Sequence, residues 1–225
     1  MGKPANVMLS WSSGKDSAWT LHTLRQQGAN VTGLLTTLNS THDRVAMHAV
    51  RRQLLRAQAN AAGLPLLEVD LPWPCSNEIY EQRMTEACAR AKAIGVTQMA
   101  FGDLFLEDVR KYRVEKLKPT GLEPIFPLWG KPTAALAQEM IAGGLRAVLT
   151  CVDPKQIDAR FVGRQFDASL LAELPASCDP CGERGEFHSF VYAGPMFQAS
   201  LKIKVGEIIT RDGFTFADVV PVPAV

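Results

Sequence analysis

The sequence predicts an α/β protein: an open, doubly wound parallel sheet of five strands, followed by a smaller C-terminal α+β region. Three observations carry this. Five short apolar runs alternate with helix-length segments through residues 1–154, the signature of βαβ units. The first run ends in a small-residue turn that opens a helix, which is where such sheets bind ligands. Over residues 155–225 the alternation stops, and glycine, cysteine and charge accumulate before a final hairpin pattern.

The elements follow in order. Residues 7–10 form the first strand, apolar on both faces as a buried parallel strand requires. Residues 16–27 form a helix with Ala18, Leu21 and Leu24 on one face, and residues 31–37 the second strand. Residues 43–62 read as one long helix, because Met47, Val50, Leu54, Ala57 and Ala61 recur at spacings of three and four. Gly63 ends it, and Pro65 opens the third strand at 66–69. Residues 77–94 are helical and stop at Gly95. Residues 99–101 are the fourth strand and 147–151 the fifth. Between them a helix spans 132–142, with proline in its first turn and Gly143-Gly144 at its end. Residues 156–174 read as helical. The tail, 201–220, alternates apolar and polar residues about Asp212-Gly213, a two-residue hairpin signal.

Composition narrows the function classes. Lys+Arg 24 against Asp+Glu 23 gives a net charge of +1, which argues against a broad nucleic-acid or membrane surface. No stretch reads as a signal peptide or reaches the roughly 18 apolar residues of a membrane span. Five cysteines, scattered apart from Cys178 and Cys181, do not make a disulfide framework, and a cytoplasmic location is expected.

The first turn carries the chemistry. Residues 10–17 read "SWSSGKDS". Small residues let backbone N–H groups approach phosphate oxygens, and the following helix adds its positive end. Lys15 supplies a full charge and Ser12 and Ser17 hydroxyl donors, on what reads as a surface loop. The familiar G-x-x-x-x-G-K-[ST] loop fails here: Leu9 stands where its first glycine belongs, and Asp16 where its Mg²⁺-binding hydroxyl belongs. A second constellation lies at 179–197, "DPCGERGEFHSFVYAGPMF". Glu183 and Glu186 are flanked by Gly182 and Gly185, so a tight loop can turn both carboxylates to one point, with His188 beside them. Paired carboxylates can hold Mg²⁺, orient ammonium or act as a base.

"SSGKDS" resembles the S-G-G-K-D-S loop of the PP-loop ATP pyrophosphatases, with Ser13 in place of the commoner glycine. "GERGEFHS" resembles the G-E-x-G-E-[FY]-H-[ST] motif of the diphthine–ammonia ligase group and its bacterial relatives, the adenine nucleotide alpha hydrolases. "GPMF", "FGDLFLEDVRKYRVEKL", "EPIFPLWG" and "AMHAVR" are similar to that group in the same order. The resemblance implies a HUP-like sheet of order 3-2-1-4-5 and a C-terminal substrate region. It also implies adenylation of a carboxylate, with release of pyrophosphate, then displacement of AMP by ammonia.

The implied cofactors are ATP and Mg²⁺. The implied nucleotide site is Ser10, Ser12, Ser13, Gly14, Lys15, Asp16, Ser17, His48 and Gly102. Lys15, Asp103, Glu183, Glu186 and His188 are the catalytic candidates, and Asp16 and Asp103 the metal candidates. The implied partners are ATP, ammonia and a carboxylate acceptor, which in the group is diphthine on elongation factor 2. No membrane or nucleic acid is expected, and a homodimer stays open. A helix N-cap is an alternative role for Asp103, and a structural one for His48. Cys178 and Cys181 read as loop residues rather than half of a zinc site, Trp129 as core, and the basic run from Arg110 to Lys118 as a solvated face. Two other functions stay open: a tRNA-modifying PP-loop enzyme, and a regulator that binds ATP without turnover.

Overall fold

The computed structural model describes residues 5–45 and 48–222. Along the chain run β1 (Asn6–Ser10), α1 (Lys15–Gln26), β2 (Asn30–Asn39), β3 (Arg44–Val45), α2 (Arg52–Ala62), β4 (Leu66–Leu71), α3 (Asn77–Ala93) and β5 (Gln98–Ala100). Then follow α4 (Glu107–Leu117), β6 (Glu123–Ile125), α5 (Thr133–Ala142), β7 (Arg146–Val152), α6 (Ala168–Glu173), β8 (Phe187–Ala193), β9 (Ile203–Arg211) and β10 (Phe214–Pro221).

Five parallel strands lie in the order β4-β2-β1-β5-β6, which is the expected 3-2-1-4-5. The two-residue β3 pairs antiparallel with the end of β2. The sheet is buried on both faces, which is why its strands read as unbroken apolar runs. Val7 and Leu9 pack with α1 and α2. Met8 between them packs with Met99 and with Ala87, Cys88 and Ala91 of α3. A second, antiparallel sheet runs β8-β7-β10-β9. Its residues Ala147, Leu149, Phe190 and Val191 join the same core as Val7 and Leu9, so one apolar interior serves both sheets.

Three sequence expectations need correction. Residues 147–151 are not the fifth parallel strand; they lie in β7, paired antiparallel with β8 and β10. The fifth parallel strand is the three-residue β6, paired with β5. The expected helix over 43–62 begins only at Arg52. Ahead of it the chain forms β3 and a turn, with Asp43 and Ala49 at φ of 53°, a left-handed conformation that no α-helix contains; Met47 lies outside the described residues. Residues 156–174 hold only a short 3-10 turn and the six-residue α6. The tail hairpin matches its expectation: Asp212 and Gly213, at φ 52° and 84°, join β9 to β10, as a primed two-residue turn requires.

Candidate active site

β1 lies between β2 and β5, so the chain leaves the sheet in opposite senses on its two sides. Ligands bind at such a switch point, beyond the carboxyl ends of the strands. A cavity of about 260 Å³ lies there. The loop after β1 lines it with Ser10, Ser12, Lys15, Asp16 and Ser17, and the segment after β5 with Phe101, Gly102 and Asp103. The second sheet's loop closes it with Gly182, Glu183, Gly185, His188 and Ser189, and His48 and Arg113 complete the wall. The two sequence motifs therefore face a single cavity. A larger, more apolar cleft of about 390 Å³, with Trp73, Phe214 and Phe216 in its wall, contains none of these residues.

The phosphate-sized loop is shaped by close approaches. Gly14 caps α1 with no side-chain cap bond. A Cβ on Gly14 would stand 2.7 Å from His48 Cε1 and 3.2 Å from the Ser189 carbonyl. Gly102 is as confined: a Cβ there would meet Asp16 C at 2.9 Å and Ser17 N at 3.0 Å. That is why β5 can deliver its loop directly against the start of α1. Ser13 sits at φ 69°, the left-handed conformation that glycine adopts without strain. Ser12 Oγ lies 3.2 Å from Ser17 Oγ.

Lys15 is not on a surface loop. It is 2% exposed, because α1 begins beneath the second sheet's loop. Its ammonium donates to Asp16 Oδ2 at 2.8 Å and to the Cys181 carbonyl. It also lies 5.3 Å from the centre of the Phe187 ring. Burial is the largest single influence and opposes its charge, but Asp16, Cys181 and Glu183 together outweigh it and hold the group above the ordinary lysine range. Its backbone N–H donates to Ser189 Oγ at 3.1 Å. The other oxygen of Asp16, Oδ1, is buried and has no hydrogen-bond partner among the described residues.

The two glutamates part company. Glu183 faces the cavity, and its Oε1 accepts from the Leu104 N–H at 2.7 Å. Burial pushes its carboxyl up to about 7, with Asp16 adding to the shift. Glu186 does not share that point. It is 1% exposed and accepts from Asp179 N at 2.7 Å and Arg184 N at 3.0 Å, so it ties the loop together from inside. The imidazoles of His48 and His188 lie 4.7 Å apart. Burial drives them down to about 4 and about 3, so both are neutral near pH 7. His48 Nδ1 is 3.0 Å from the Ser189 carbonyl, which can only accept; the proton is therefore on Nδ1 and the free lone pair on Nε2.

Asp103 is engaged by Arg113 through both oxygens, at 2.5 and 3.1 Å. The basic run is accordingly not all solvated: Arg113 stacks on Phe101 at 4.4 Å and Arg110 on Trp129 at 4.6 Å. Cys178 and Cys181 are buried free thiols. Among the described residues no group of three His, Cys, Asp or Glu is placed to hold a metal, and no helix is long and apolar enough to cross a membrane.

Sequence reasoning missed three functional neighbours. Ser189 was only the last letter of a motif. Arg113 was hidden in a charge run. Gln58 left a faint signal, a polar residue on the apolar face of α2, one turn from Leu54 and Ala62.

The loop at the switch point of this sheet, closed by a second sheet, has the arrangement of the PP-loop class of α/β proteins. The family comparison takes this further. Residues 5–123 match the family model for the diphthamide synthase N-terminal domain, and residues 132–219 that for its C-terminal domain. The chain belongs to the diphthamide synthase family. It is 30% identical to a bovine diphthine–ammonia ligase over 120 residues, 51% of this chain and 45% of that one. The human counterpart is 28% identical over the same shares. The match thus spans about half the length of these relatives. The zebrafish diphthine–ammonia ligase is 25% identical over 92% of this chain and 90% of its own. A solved structure from Methanocaldococcus jannaschii, described as a predicted subunit of a tRNA methyltransferase, covers 88% of this chain and 100% of its own. It is 16% identical with a TM-score of 0.44, too distant to carry an argument.

Proposed function

We propose that this protein is an ATP-dependent amide ligase that adenylates a carboxylate, releases pyrophosphate, and passes the acyl group to ammonia with release of AMP. The observation that carries the reading is the cavity in which the loop of residues 12–17 faces Glu183. The names of the relatives, diphthine–ammonia ligases, support diphthine as the first acceptor to test.

In this reading the phosphates lie against the loop of residues 12–17 at the start of α1, where the helix dipole adds to their attraction. Lys15 exchanges the Cys181 carbonyl for phosphate oxygens and stabilises charge on the departing pyrophosphate. His48 and His188 stand beside the loop as neutral imidazoles and so add no charge of their own. Attack of ammonia on the acyl-adenylate forms the C–N bond, breaks the acyl–phosphate bond and leaves one proton, which Glu183 is poised to take at its raised pKa. Glu186 acts through the loop it holds rather than on substrate.

The residues fit a magnesium ion. Asp16 Oδ1 is a buried oxygen with no partner among the described residues, and the Ser12 and Ser17 hydroxyls, hard oxygen donors, line the same cavity as Asp16. Asp103 can join them only if its pair with Arg113 opens. Bound there, Mg²⁺ would neutralise phosphate charge.

Sulfur transfer, one chemistry that a tRNA-modifying PP-loop enzyme could use, is disfavoured, because burial pushes Cys178 up to about 12 and Cys181 higher still. Such thiols carry little thiolate at neutral pH. The test is the cleavage point in ATP. With a diphthine-bearing acceptor and ammonium, chromatography should show AMP and pyrophosphate; ADP and inorganic phosphate as main products would overturn the mechanism.

A further inference from the structure

The phosphate loop holds a conformation that its sequence does not favour. Ser13, at φ 69°, occupies the left-handed region, which is unfavourable for a residue with a Cβ, and persists there only if its surroundings hold it. The Ser13 carbonyl is held twice. The Val191 N–H of β8 reaches it at 3.1 Å, and Gln58 Nε2 at 3.0 Å.

Gln58 lies in α2 and has no exposed surface. Its Nε2 also donates to the Val191 carbonyl at 2.6 Å, and its Oε1 accepts from the Trp11 indole N–H at 2.9 Å. One side chain thus joins the residue that enters the loop, the strained residue within it, and the strand of the second sheet that closes the site. All three partners of Gln58 lie outside α2, two of them in the loop segment.

We propose that Gln58 is a positioning residue for the phosphate loop: it holds Ser13 in the left-handed conformation and so aims the loop's N–H groups at the phosphates. This rests on the reading of residues 12–17 as the phosphate site. It has a consequence that a packing role lacks. Glycine adopts the left-handed conformation without strain, so replacing Ser13 by glycine should make Gln58 partly dispensable.

The test is a double-mutant cycle read by titration calorimetry with a non-hydrolysable ATP analogue, on the full chain, beside thermal melting. Gln58→Met should weaken binding about tenfold, the effect of losing about 1.4 kcal/mol of loop preference. Adding Ser13→Gly to Gln58→Met should recover about fivefold of that loss, a coupling expected only of residues that act on one element. If Gln58→Met does not fold, Gln58→Glu keeps the shape but faces two carbonyls with a carboxylate. Its binding, relative to the parent at the same pH, should then improve from pH 8 to pH 6 as the carboxyl gains a donor proton. Parental affinity in both Gln58 variants would overturn the assignment, as would the same loss with and without Ser13→Gly. Failure of the unsubstituted protein to bind the analogue would instead overturn the phosphate-site reading beneath it.

Discussion

Glu183→Gln separates a proton acceptor from a structural carboxylate. Glu183 is placed by the Leu104 N–H at 2.7 Å, a bond that a glutamine oxygen can also accept, so the substitution keeps size and anchor and removes the charge. Burial sets the carboxyl at about 7. A base of that pKa is ionised to about one tenth at pH 6 and about nine tenths at pH 8. Free ammonia also rises over this interval, but equally for parent and variant. The ratio of parental to Glu183→Gln rates should therefore grow about tenfold from pH 6 to pH 8. At pH 8 the variant should be slower by the 10²–10⁴ typical of a lost general base, roughly. The assay is amide formation by mass spectrometry at saturating ATP and fixed total ammonium. A ratio that stays flat with pH, or a loss smaller than tenfold at pH 8, would show that Glu183 is not the proton acceptor.

Further outcomes follow from the same geometry. Lys15→Met removes an ammonium bonded to Asp16 and the Cys181 carbonyl, and breaking such a buried pair should cost the fold about 3 kcal/mol; an unshifted denaturant midpoint would place the ammonium in solvent instead. Gly102→Ala puts a Cβ 2.9 Å from backbone of Asp16, which cannot step aside, and overpacking of this kind costs about 1–3 kcal/mol; a parental melting temperature would refute the contact. His48 and His188 titrate near 4 and 3, below their ordinary 6.5, so the unfolded chain takes up protons first. Their stabilisation is complete above pH 6.5 and is lost as pH falls toward 4. Melts between pH 7 and pH 4 should show this decline, and His188→Gln should make it shallower; an equally steep decline in the variant would exclude His188 as its source.

The parallel sheet was legible because burial on both faces leaves an unbroken apolar run, and four of the five runs are its strands. The same rule misled at residues 147–151, since β7 is just as buried within a different sheet. The true edge strand, Glu123–Ile125, is three residues with a proline in the middle, too short to leave a pattern. Helical spacing over 43–51 was coincidental, because spacing does not register the left-handed residues at Asp43 and Ala49. In the site, the loops announced themselves by residue type. Lys15's burial, Glu186's inward turn and Gln58's bonds did not. Each depends on a partner more than 40 residues away, or on which way a short loop side chain turns, and neither is written in local sequence.

Those distant partners bear on how variants of this site are interpreted. Division of labour between an early nucleotide motif and a late acceptor motif is the natural sequence-level expectation. The bonds cross that division. Ser189 of β8 accepts the Lys15 N–H at the start of α1, the Cys181 carbonyl holds the Lys15 ammonium, and Val191 holds the Ser13 carbonyl. The late segment is therefore part of the scaffold of the early one. Weakened ATP binding in a variant at 181–191 does not by itself mean that the residue touches ATP, and intact ATP binding is not the signature of an acceptor-side residue. Affinity measures the shared scaffold; only a readout tied to one chemical step distinguishes roles within it. For Glu183 that readout is the pH dependence of amide formation, because burial holds its carboxyl at about 7, inside the range the assay spans.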